Sequence, residues 1–420
     1  MSDRVAAINC TSCGGALQLN GGHRVRAVNC SYCGAVMDAH ADYQVLAQYK
    51  DLKRPQTPLR IGMTLTLKGV EHTLIGIVES QMREEGQTYR WVDHQLFSPT
   101  HGYSWLTFED GHFVWSYRVR EVPQPARADR LGPKTTIRAM GMSFQVYETC
   151  TARISYVEGE LTWVARLGDQ TESTEAIAPP YLFAYERSAN ELEYAFGEYL
   201  TATQVSEAAG DTVISPWRSG IHPAQPEPPR PLIRAMGRAG RIFAPIALVG
   251  LLATLAVGGT EIQRMRIDDP RTGAVVPFNA PDAGYLYQVS LEASVNNTWA
   301  YYEVGLNRDG EEVELGSLGR DIEYYTGTDS DGSWSEGSQA ATATFHVPEA
   351  GEYELEVLLV EAESEAANHP VTVVVAENVF VSRYFLALFV LMLIAAAVDP
   401  VLSFLYEKQR WKPVMGDDDD

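Results

Sequence analysis

The sequence predicts a mainly β, multidomain membrane protein. Three observations indicate this: two long apolar segments, two similar Cys-x-x-Cys motifs near the N-terminus, and short stretches of alternating polarity on both sides of the first apolar segment. The expected parts are a zinc ribbon, an antiparallel β-barrel or meander domain, and two transmembrane helices flanking an extracytoplasmic β-sandwich. Their predicted boundaries are 1–40 for the ribbon, 41–59 for a linker, 60–213 for the β-rich domain, 214–241 for a proline-rich linker, 242–258 for the first transmembrane helix, 260–378 for the sandwich, 379–402 for the second transmembrane helix and 403–420 for an acidic tail.

Four of the five cysteines form two pairs, Cys10-x-x-Cys13 and Cys30-x-x-Cys33, sixteen residues apart. Zinc prefers four thiolates in a tetrahedron, and each Cys-x-x-Cys supplies two of them from one tight turn. A glycine follows the second cysteine of each pair, where it lets the backbone turn beneath the sulfur atoms. The spacing predicts a structural zinc site, with the residues between the pairs forming a hairpin that turns at Gly21-Gly22.

Other interpretations of the ribbon are weaker. A pair of redox Cys-x-x-Cys motifs would normally precede a helix, and the flanking pattern is that of strands. Nucleic-acid binding needs a basic stripe, whereas residues 1–40 hold three arginines against two aspartates. Four cysteines already complete a zinc site, so His23 and His40 are interpreted as surface residues. We therefore expect no nucleic-acid partner, and a ribbon that serves protein contact or caps the fold.

Residues 60–213 alternate in polarity over short segments separated by turn residues, which predicts antiparallel strands. A Gly-Met opening occurs twice and hints at a weak internal duplication, and Gly159 marks a predicted hairpin turn. Cys150 lies in an apolar stretch and is interpreted as a buried small hydrophobe. Between residues 186 and 194 lies a group of polar residues: Glu186, Glu191, Glu193 and Tyr194. They could form a polar site on a short helix or turn, but the pattern is more typical of a solvated acidic face.

Residues of about 60–205 resemble a bacterial domain family of unknown function, DUF4178. The resemblance is carried by Gly62, GVEHTLIGIV, Tyr89-Arg90-Trp91, Trp105-Leu106, the segment from Ser155 to Asp169, Pro179 to Leu182 and Gly197 to Leu200. Such domains tend to be encoded beside small multi-span membrane proteins and aminopropyltransferase-like proteins. The resemblance therefore implies a membrane-associated accessory component, and the aminopropyltransferase-like neighbours suggest a link to polyamines. The family has no established activity, so the resemblance supplies no catalytic residue.

Both apolar segments are predicted to span a membrane. Residues 242–258 carry no charge, and residues 379–398 carry only Arg383, at lengths close to the roughly 17–25 residues that a bilayer requires. Basic residues precede the first segment and follow the second, so both termini are expected in the bacterial cytoplasm and residues 260–378 outside the inner membrane. Asp399 is either intramembrane, and then a functional candidate, or an interface residue before Pro400. Neither segment shows a clear small-residue packing motif, and self-association is left open.

The segment between the spans is strongly acidic. Residues 260–378 hold 23 Asp and Glu against five Arg and no Lys, a net charge of −18 out of the chain's −22, and Asp417 to Asp420 add another −4. Alternating strands predict a β-sandwich with solvated acidic faces. The segment from Thr326 to Ser338 lacks the acids that a calcium-binding EF-hand loop needs at positions one and twelve, which favours a plain polar loop.

None of the common phosphate-binding, dinucleotide-binding, nucleophile-elbow or zinc-protease motifs occurs. The first hypothesis is a non-enzymatic membrane scaffold or sensor whose partners are the bilayer and other membrane or cytoplasmic proteins. The second is an accessory subunit of a polyamine- or cation-handling membrane system. The third is an enzyme in residues 60–205, which would need convergent acids beside His72 or His94.

Overall fold

The computed structural model describes residues 6–50, 52–84, 86–129, 131–188, 191–210, 212, 214, 217–257, 259–313, 318–330, 332–363 and 366–415. The chain divides into two compact units: one contains the residues up to Pro229 and those from Val401 onward, and the other contains Arg230–Pro400. The fold is mainly β with two long apolar helices, which confirms that part of the predicted fold class.

The first unit holds fifteen strands and one short helix within its described residues. The strands are β1 (Ala6–Asn9), β2 (Ala16–Leu19), β3 (Ala27–Asn29), β4 (Ala35–Asp38), β5 (Gln44–Gln48), β6 (Thr64–Leu67), β7 (Val70–Glu84), β8 (Gln87–Ser98), β9 (Gly102–Glu109), β10 (His112–Val119), β11 (Thr136–Ala139), β12 (Met142–Leu161), β13 (Gln170–Ala178), β14 (Tyr181–Arg187) and β15 (Leu192–Leu200). The helix is α1 (Ala202–Ala208), whose first turn is closed by Thr201 and Gln204 in a reciprocal capping box.

Eight of these strands close into an antiparallel barrel in the order β7-β8-β9-β10-β15-β14-β13-β12. The ring closes where β12 pairs with β7, and there Gly159 lies directly opposite Gly76. A Cβ atom on Gly76 would lie 2.3 Å from the Glu160 carbonyl oxygen, and one on Gly159 would lie 2.4 Å from the Ile75 carbonyl oxygen. Gly159 is therefore not the hairpin turn that the sequence predicts; it lies within β12, where the closing strands approach too closely for a side chain.

The barrel is built from two similar halves. Each half begins with a short strand, β6 or β11, followed by a tight turn and one long strand, β7 or β12. The outer face of each half has its own apolar core: Leu65, Leu96 and Phe113 belong to the first, and Phe144 and Phe183 to the second. This arrangement parallels the weak duplication seen in the sequence.

Residues 41–59 are not a polar linker. They contain β5, which pairs with β4. Leu59 is fully buried in the first half-barrel core, and the Thr57 hydroxyl lies 2.7 Å from His94 Nε2. The prolines of this stretch indicated a linker, and its apolar residues, such as Val45 and Leu59, were overlooked.

The second unit begins with helix α2 (Pro231–Ala256) and enters helix α3 (Ser382–Met415), whose last part belongs to the first unit. In α2 a stripe of small residues, Gly237, Gly240, Ala244 and Ala247, is buried. A Cβ atom on Gly240 would lie 2.5 Å from the Met392 carbonyl oxygen, so the two helices touch at backbone distance. The prediction that neither span has a small-residue packing motif is therefore wrong, because small residues at spacings of three and four share one helix face.

Between the helices, ten strands form two sheets with a common apolar core. The strands are β16 (Thr260–Ile267), β17 (Ala274–Ala280), β18 (Tyr287–Ala293), β19 (Thr298–Arg308), β20 (Glu311–Glu312), β21 (Leu318–Asp329), β22 (Gly332–Ser338), β23 (Ala340–Phe345), β24 (Gly351–Ala362) and β25 (Val371–Glu377). One sheet runs β16-β25-β18-β23, and the other runs β17-β24-β19-β21-β22 with β20 beside β19. We refer to this two-sheet body as the sandwich.

The sandwich corrects one prediction of detail. The segment from Thr326 to Ser338 is not a plain loop, because it contains the paired ends of β21 and β22. Glu323 lies opposite Ser338 at one end of this ladder, and Asp329 lies opposite Gly332 at the other. Its Asp331, together with the predicted tail aspartates Asp417 to Asp420, lies outside the described residues.

Candidate functional site

The four clustered cysteines lie at the turns of two hairpins. The Sγ atoms of Cys10, Cys13, Cys30 and Cys33 all lie within 4.8 Å of one another, and Cys10–Cys33 and Cys13–Cys30 are each 3.8 Å apart. These distances are far longer than the roughly 2.05 Å of a disulfide bond. The four side chains could therefore hold a metal ion together.

Each Cys-x-x-Cys belongs to its own hairpin, β1–β2 or β3–β4. The predicted hairpin across Gly21-Gly22 is therefore wrong, since β2 and β3 do not pair. Gly34 has a φ of +67°, and a Cβ atom there would lie 1.8 Å from the Tyr49 carbonyl oxygen. Only glycine fits at this position, because both the backbone angle and the close approach exclude a side chain.

The ribbon is continuous with the barrel. Strand β3 pairs with β12, so that Val28 lies opposite Glu160. The Glu160 carboxylate is buried and accepts hydrogen bonds from the backbone N–H groups of Asn20, at 2.5 Å, and Gly21, at 3.0 Å. Burial raises the pKa of Glu160, and these two backbone donors oppose the shift. The Gly21-Gly22 segment thus contacts the barrel instead of forming a free turn.

His23 is exposed, which fits its interpretation as a surface residue. His40 is exposed as well, and its Nε2 lies 2.9 Å from the Val25 carbonyl oxygen. Neither histidine belongs to the four-cysteine group.

The second feature is an acidic interior of the barrel, which sequence reasoning missed. In antiparallel strands, residues directly opposite each other share a face. Glu148 lies opposite Glu175, and Asp93 lies opposite Thr107, two residues before Glu109 on the same strand. Glu186 lies two residues beyond Ala184, the partner of Glu175. We call the resulting group the acidic lumen, and it consists of Asp93, Glu109, Glu148, Glu175 and Glu186.

These carboxyl groups are partly buried, and four of them make no hydrogen bond or ion pair with the described residues; Asp93 accepts one hydrogen bond, 2.7 Å long, from the Thr107 hydroxyl. Burial raises the pKa of Glu109 to about 8, of Glu186 to about 7 and of Asp93 to about 6. Burial also raises the pKa of Glu175 well above its ordinary value, and the charges of Glu148 on the adjacent strand and Glu109 across the barrel add to the shift. Near neutral pH the lumen therefore holds protonated carboxyl groups beside carboxylates.

The histidines of the barrel do not join the acids. His94 is fully buried on the opposite face, where its Nδ1 lies 2.7 Å from the Leu106 carbonyl oxygen. His72 is also buried on that face, with its Nδ1 2.9 Å from the Val70 carbonyl oxygen. Burial lowers the pKa of both imidazoles.

Cys150 is not enclosed by apolar side chains. It is partly buried opposite Ser173 and points the same way as Glu148. Its thiol pKa is raised, first by burial and then by the charges of Glu175 and Glu148.

The polar group predicted between residues 186 and 194 does not form one site. It lies on strands β14 and β15, not on a helix or turn. Glu193 is paired with Arg118 at 2.5 Å, and the Tyr194 hydroxyl donates to the Ala126 carbonyl oxygen at 2.8 Å. Glu191 is exposed, and Glu193 lies directly opposite Glu186 but is neutralised by its ion pair, so we count only Glu186 in the acidic lumen.

One end of the barrel is covered by the segment predicted to be a free proline-rich linker. Ala224 is fully buried there and His222 is partly buried, with its ring 5.6 Å from that of His112. The end of α3 holds this segment: the buried Arg410 guanidinium donates to the carbonyl oxygens of Pro223 and His222. The predicted tail is thus helical from 403 to 415 and packs on the barrel.

The same helix end contacts strand β12. The Trp411 ring lies 5.3 Å from that of Tyr147, whose hydroxyl donates to the Arg410 carbonyl oxygen at 3.0 Å. Both rings are almost fully buried. The last turns of α3 therefore complete the outer surface of the barrel.

Comparison with known proteins supports the predicted resemblance. Residues 60–202, or 143 of the 420, match the family model described as a domain of unknown function, DUF4178. That prediction is confirmed, and the matched residues are those of the barrel. A search of curated proteins found no match.

Solved structures give weak overlaps. The surface-associated copper-binding protein CorA of Methylomicrobium album BG8 is 11% identical, and the match covers 29% of this chain and 94% of that chain at a TM-score of 0.18. The insecticidal delta-endotoxin Cry8Ea1 of Bacillus thuringiensis is 7% identical, over 74% of this chain and 54% of that chain, at 0.17. An exo-beta-1,3-galactanase from Phanerochaete chrysosporium is 9% identical, over 89% and 98%, at 0.16. TM-scores this low carry no argument about fold or function.

Proposed function

We propose that the protein is a non-enzymatic, membrane-anchored scaffold or sensor component of a bacterial envelope complex. The observation that carries this proposal is the order of the two units. The chain forms the barrel unit, leaves it at Arg230, and returns to it at Val401 after two long apolar helices. Two membrane crossings return a chain to its starting side, so the barrel unit would lie on one side and the sandwich on the other.

The surfaces of the helices support this arrangement. In the most apolar 18-residue stretch of each helix, 17% of the residues of α2 and none of those of α3 are buried. Side chains such as Ile246, Leu252 and Leu391 are mostly exposed. A soluble protein would bury such faces, whereas lipid accommodates them.

The charges support a cytoplasmic barrel unit. Asp399 lies 3.9 Å from Arg230 and 4.0 Å from Arg234, at the end of α2 that follows the barrel unit. This pairing favours Asp399 as an interface residue over an isolated intramembrane acid, because its charge is matched. Arginines at this end of the hairpin fit the positive-inside rule.

The topology can be tested with two epitopes in the full chain. One is inserted in the exposed hairpin between β21 and β22, and the other is placed after the final residue. In spheroplasts, antibody should label the first epitope without permeabilisation and the second only after it. Labelling in the reverse order, or of both epitopes at once, would reject the proposed topology.

We propose zinc as the metal of the ribbon. A tetrahedron with Zn–S bonds of about 2.3 Å has S–S edges of about 3.8 Å, the separation found for two of the cysteine pairs. Zinc would fasten the two hairpins together and supply no reaction. Metal analysis of the purified chain should find about one zinc per chain, lost in Cys30→Ala and retained in Cys150→Ala. A different metal in the wild-type protein would reject zinc.

The acidic lumen favours a second candidate function, an accessory subunit of a cation- or polyamine-handling system. Four of its carboxyl groups have no hydrogen bond or ion pair with the described residues, so a cation would meet little competition there. Titration calorimetry of the full chain in detergent should detect spermidine or Ca²⁺. Binding should weaken in a Glu148→Gln, Glu175→Gln variant and persist in Glu354→Gln, Glu356→Gln, which changes exposed sandwich residues. Equal loss in both variants would reject the lumen as the site.

Partners follow from the same proposal. Purification of the tagged chain in mild detergent, with mass spectrometry of co-purifying proteins, should recover a small multi-span membrane protein or an aminopropyltransferase-like protein if the accessory role is correct. Recovery of the chain by itself would favour a self-contained sensor. The enzyme hypothesis remains without a candidate residue, since His72 and His94 face away from the acids.

A further inference from the structure

The first turns of α2 carry more positive charge than the hairpin balances. Arg234, Arg238 and Arg241 lie in α2, which contains no acidic residue. Asp399 is the one acid between Ser382 and Tyr406 of α3, and it lies next to Arg230 and Arg234. Arg238 and Arg241 thus carry two charges that no acidic residue of the two apolar segments offsets.

Both arginines are exposed and make no hydrogen bond or ion pair with the residues that the structure describes. They flank Gly237 and Gly240, the small residues that contact α3. They are three positions apart, so their Cα atoms differ by about 4.5 Å along the helix axis. Two guanidinium groups this close repel each other unless an anion lies between them.

The Arg241 side chain points toward the start of the helix. Its Nη1 lies 3.8 Å from the Cβ position of Gly237, one turn earlier. Long basic side chains in apolar helices orient in this way when their charge reaches for the nearer membrane surface. Arg241 therefore directs its guanidinium toward the turn of α2 that carries Arg238, at the end that would face the cytoplasm.

The length of α2 places this pair just below the lipid headgroups, within side-chain reach of them. Its 26 residues are about 39 Å long, more than the roughly 30 Å of a hydrocarbon core. If the outer end of α2 lies at the outer boundary, a hydrocarbon core of about 30 Å ends near Gly237. The Cα atoms of Arg238 and Arg241 then lie about 3 and 8 Å inside that boundary, within reach of the headgroups for an extended arginine side chain. Phe243 and Ile246, both exposed, follow the arginines and would contact acyl chains.

We propose that Arg238 and Arg241 together bind the phosphate group of an anionic phospholipid in the cytoplasmic leaflet. The planar guanidinium donates paired hydrogen bonds to phosphate oxygens, which suits a phosphodiester held between two arginines. A lipid offers this anion at the required depth and adds acyl chains for the apolar residues below. The inference rests on the proposed membrane crossing of α2.

The test uses the full chain in nanodiscs of phosphatidylcholine with or without phosphatidylglycerol. Native mass spectrometry should show phosphatidylglycerol retained in preference to phosphatidylcholine. Arg238→Gln and Arg241→Gln should each weaken retention about fivefold, and the double variant roughly 25-fold, from the usual contribution of one basic residue at a membrane surface. Arg383→Gln is the matched control, because Arg383 is exposed near the other end of the hairpin and lies over the Tyr384 ring.

The outcomes separate the two proposals. Insertion into nanodiscs without a preference for phosphatidylglycerol, or equal losses in the Arg383→Gln control, overturns the lipid site and leaves the membrane crossing intact. A chain that fails to insert and remains free of lipid overturns both. Inorganic phosphate added to phosphatidylcholine nanodiscs should not be retained on the chain. If phosphate is retained and is lost in the Arg238→Gln, Arg241→Gln variant, the site binds free phosphate and the lipid assignment is wrong.

Discussion

The barrel and the sandwich place carboxyl groups in opposite ways. The sandwich segment, residues 260–378, holds 23 acids, yet the β24 glutamates from Glu352 to Glu356 are exposed, and the residues between them are apolar core residues. Residues 60–202 hold 19, and the five carboxyl groups of the acidic lumen point into the barrel interior. Net charge located the acidic surface, but the chemically constrained acids lie in the barrel. Burial of a carboxyl group, and not the number of acids in the segment, is what raises its pKa.

The largest expected effect comes from placing a carboxylate in the sandwich core. Val304 is 1% exposed in β19, so Val304→Glu removes apolar packing and buries a charge without a partner. We expect a loss of more than about 4 kcal/mol and unfolding of the sandwich. Hydrogen exchange of the full chain should show lost protection over residues 260–377 alone. Val360→Glu, the same substitution at an exposed position of β24, is the control; an equal loss there would contradict the comparison.

A smaller effect of opposite sign is expected in the barrel. Glu109→Gln removes a carboxyl group that must ionise in a buried position, where its pKa is about 8. At pH 8 the variant should be more stable than the wild type by roughly 2–4 kcal/mol, because one pKa unit corresponds to about 1.4 kcal/mol. Chemical unfolding followed by hydrogen exchange in β9 measures this. Glu356→Gln should change stability by less than about 0.5 kcal/mol; a loss of stability in Glu109→Gln would mean that the carboxylate has a stabilising partner.

The two bodies should respond to pH in opposite directions. Asp93, Glu186 and Glu109 have pKa values of about 6, 7 and 8 in the folded barrel, above the ordinary carboxyl range. The folded barrel then binds more protons than the unfolded chain, so this stability is present below about pH 4 and is lost as the pH rises to about 8.

In the sandwich, hydrogen bonds from Arg264 and Arg271 lower the pKa of Glu261 and Asp269. Their contribution is present above the ordinary carboxyl pKa and is lost as the pH falls below it. Hydrogen exchange of the full chain between pH 5 and 8, corrected for intrinsic rates, should therefore show the barrel loosening with rising pH while the sandwich stays constant. Parallel changes in both bodies would contradict the assignment.

The smallest effect concerns Asp93, the member of the acidic lumen that accepts a hydrogen bond from a described residue. Thr107→Val removes the donor to Asp93 and should raise its pKa further. We expect a loss of about 1 kcal/mol in barrel stability at pH 8. The loss should shrink near pH 5, where Asp93 is largely protonated. A pH-independent loss would mean that Thr107 acts through packing only.

The sequence predicted those parts of the molecule that depend on local pattern. The two cysteine pairs, the alternating strands and the two apolar helices follow from spacing and periodicity, and the structure contains each of them. The sequence left barrel and meander as alternatives, because closure depends on β7 meeting β12 and β10 meeting β15, pairings between distant segments. Strand alternation also gives no sign of which face is the lumen, so nothing in the sequence set Glu148 and Glu175 apart from other strand acids.

Two further misses had a readable signal. Small residues at 237, 240, 244 and 247 recur at helical spacing and indicated the face of α2 that packs on α3. The apolar residues around Tyr406 and Trp411 indicated that α3 continues beyond its span. Burial of Arg410 had no such signal, because its partners are the carbonyl oxygens of a distant proline-rich segment.

The docking of Trp411 and Arg410 on the barrel has a consequence for how the protein is made. Tyr147 is translated 263 residues before the arginine whose carbonyl oxygen it binds. At ordinary synthesis rates that interval is roughly 13–53 s, during which the nascent barrel has an uncovered patch around Tyr147. In the proposed topology, both apolar helices would enter the bilayer within this interval. Under that proposal, membrane insertion would time the completion of the barrel unit, and a chain whose second helix failed to insert would keep that patch open to quality-control factors.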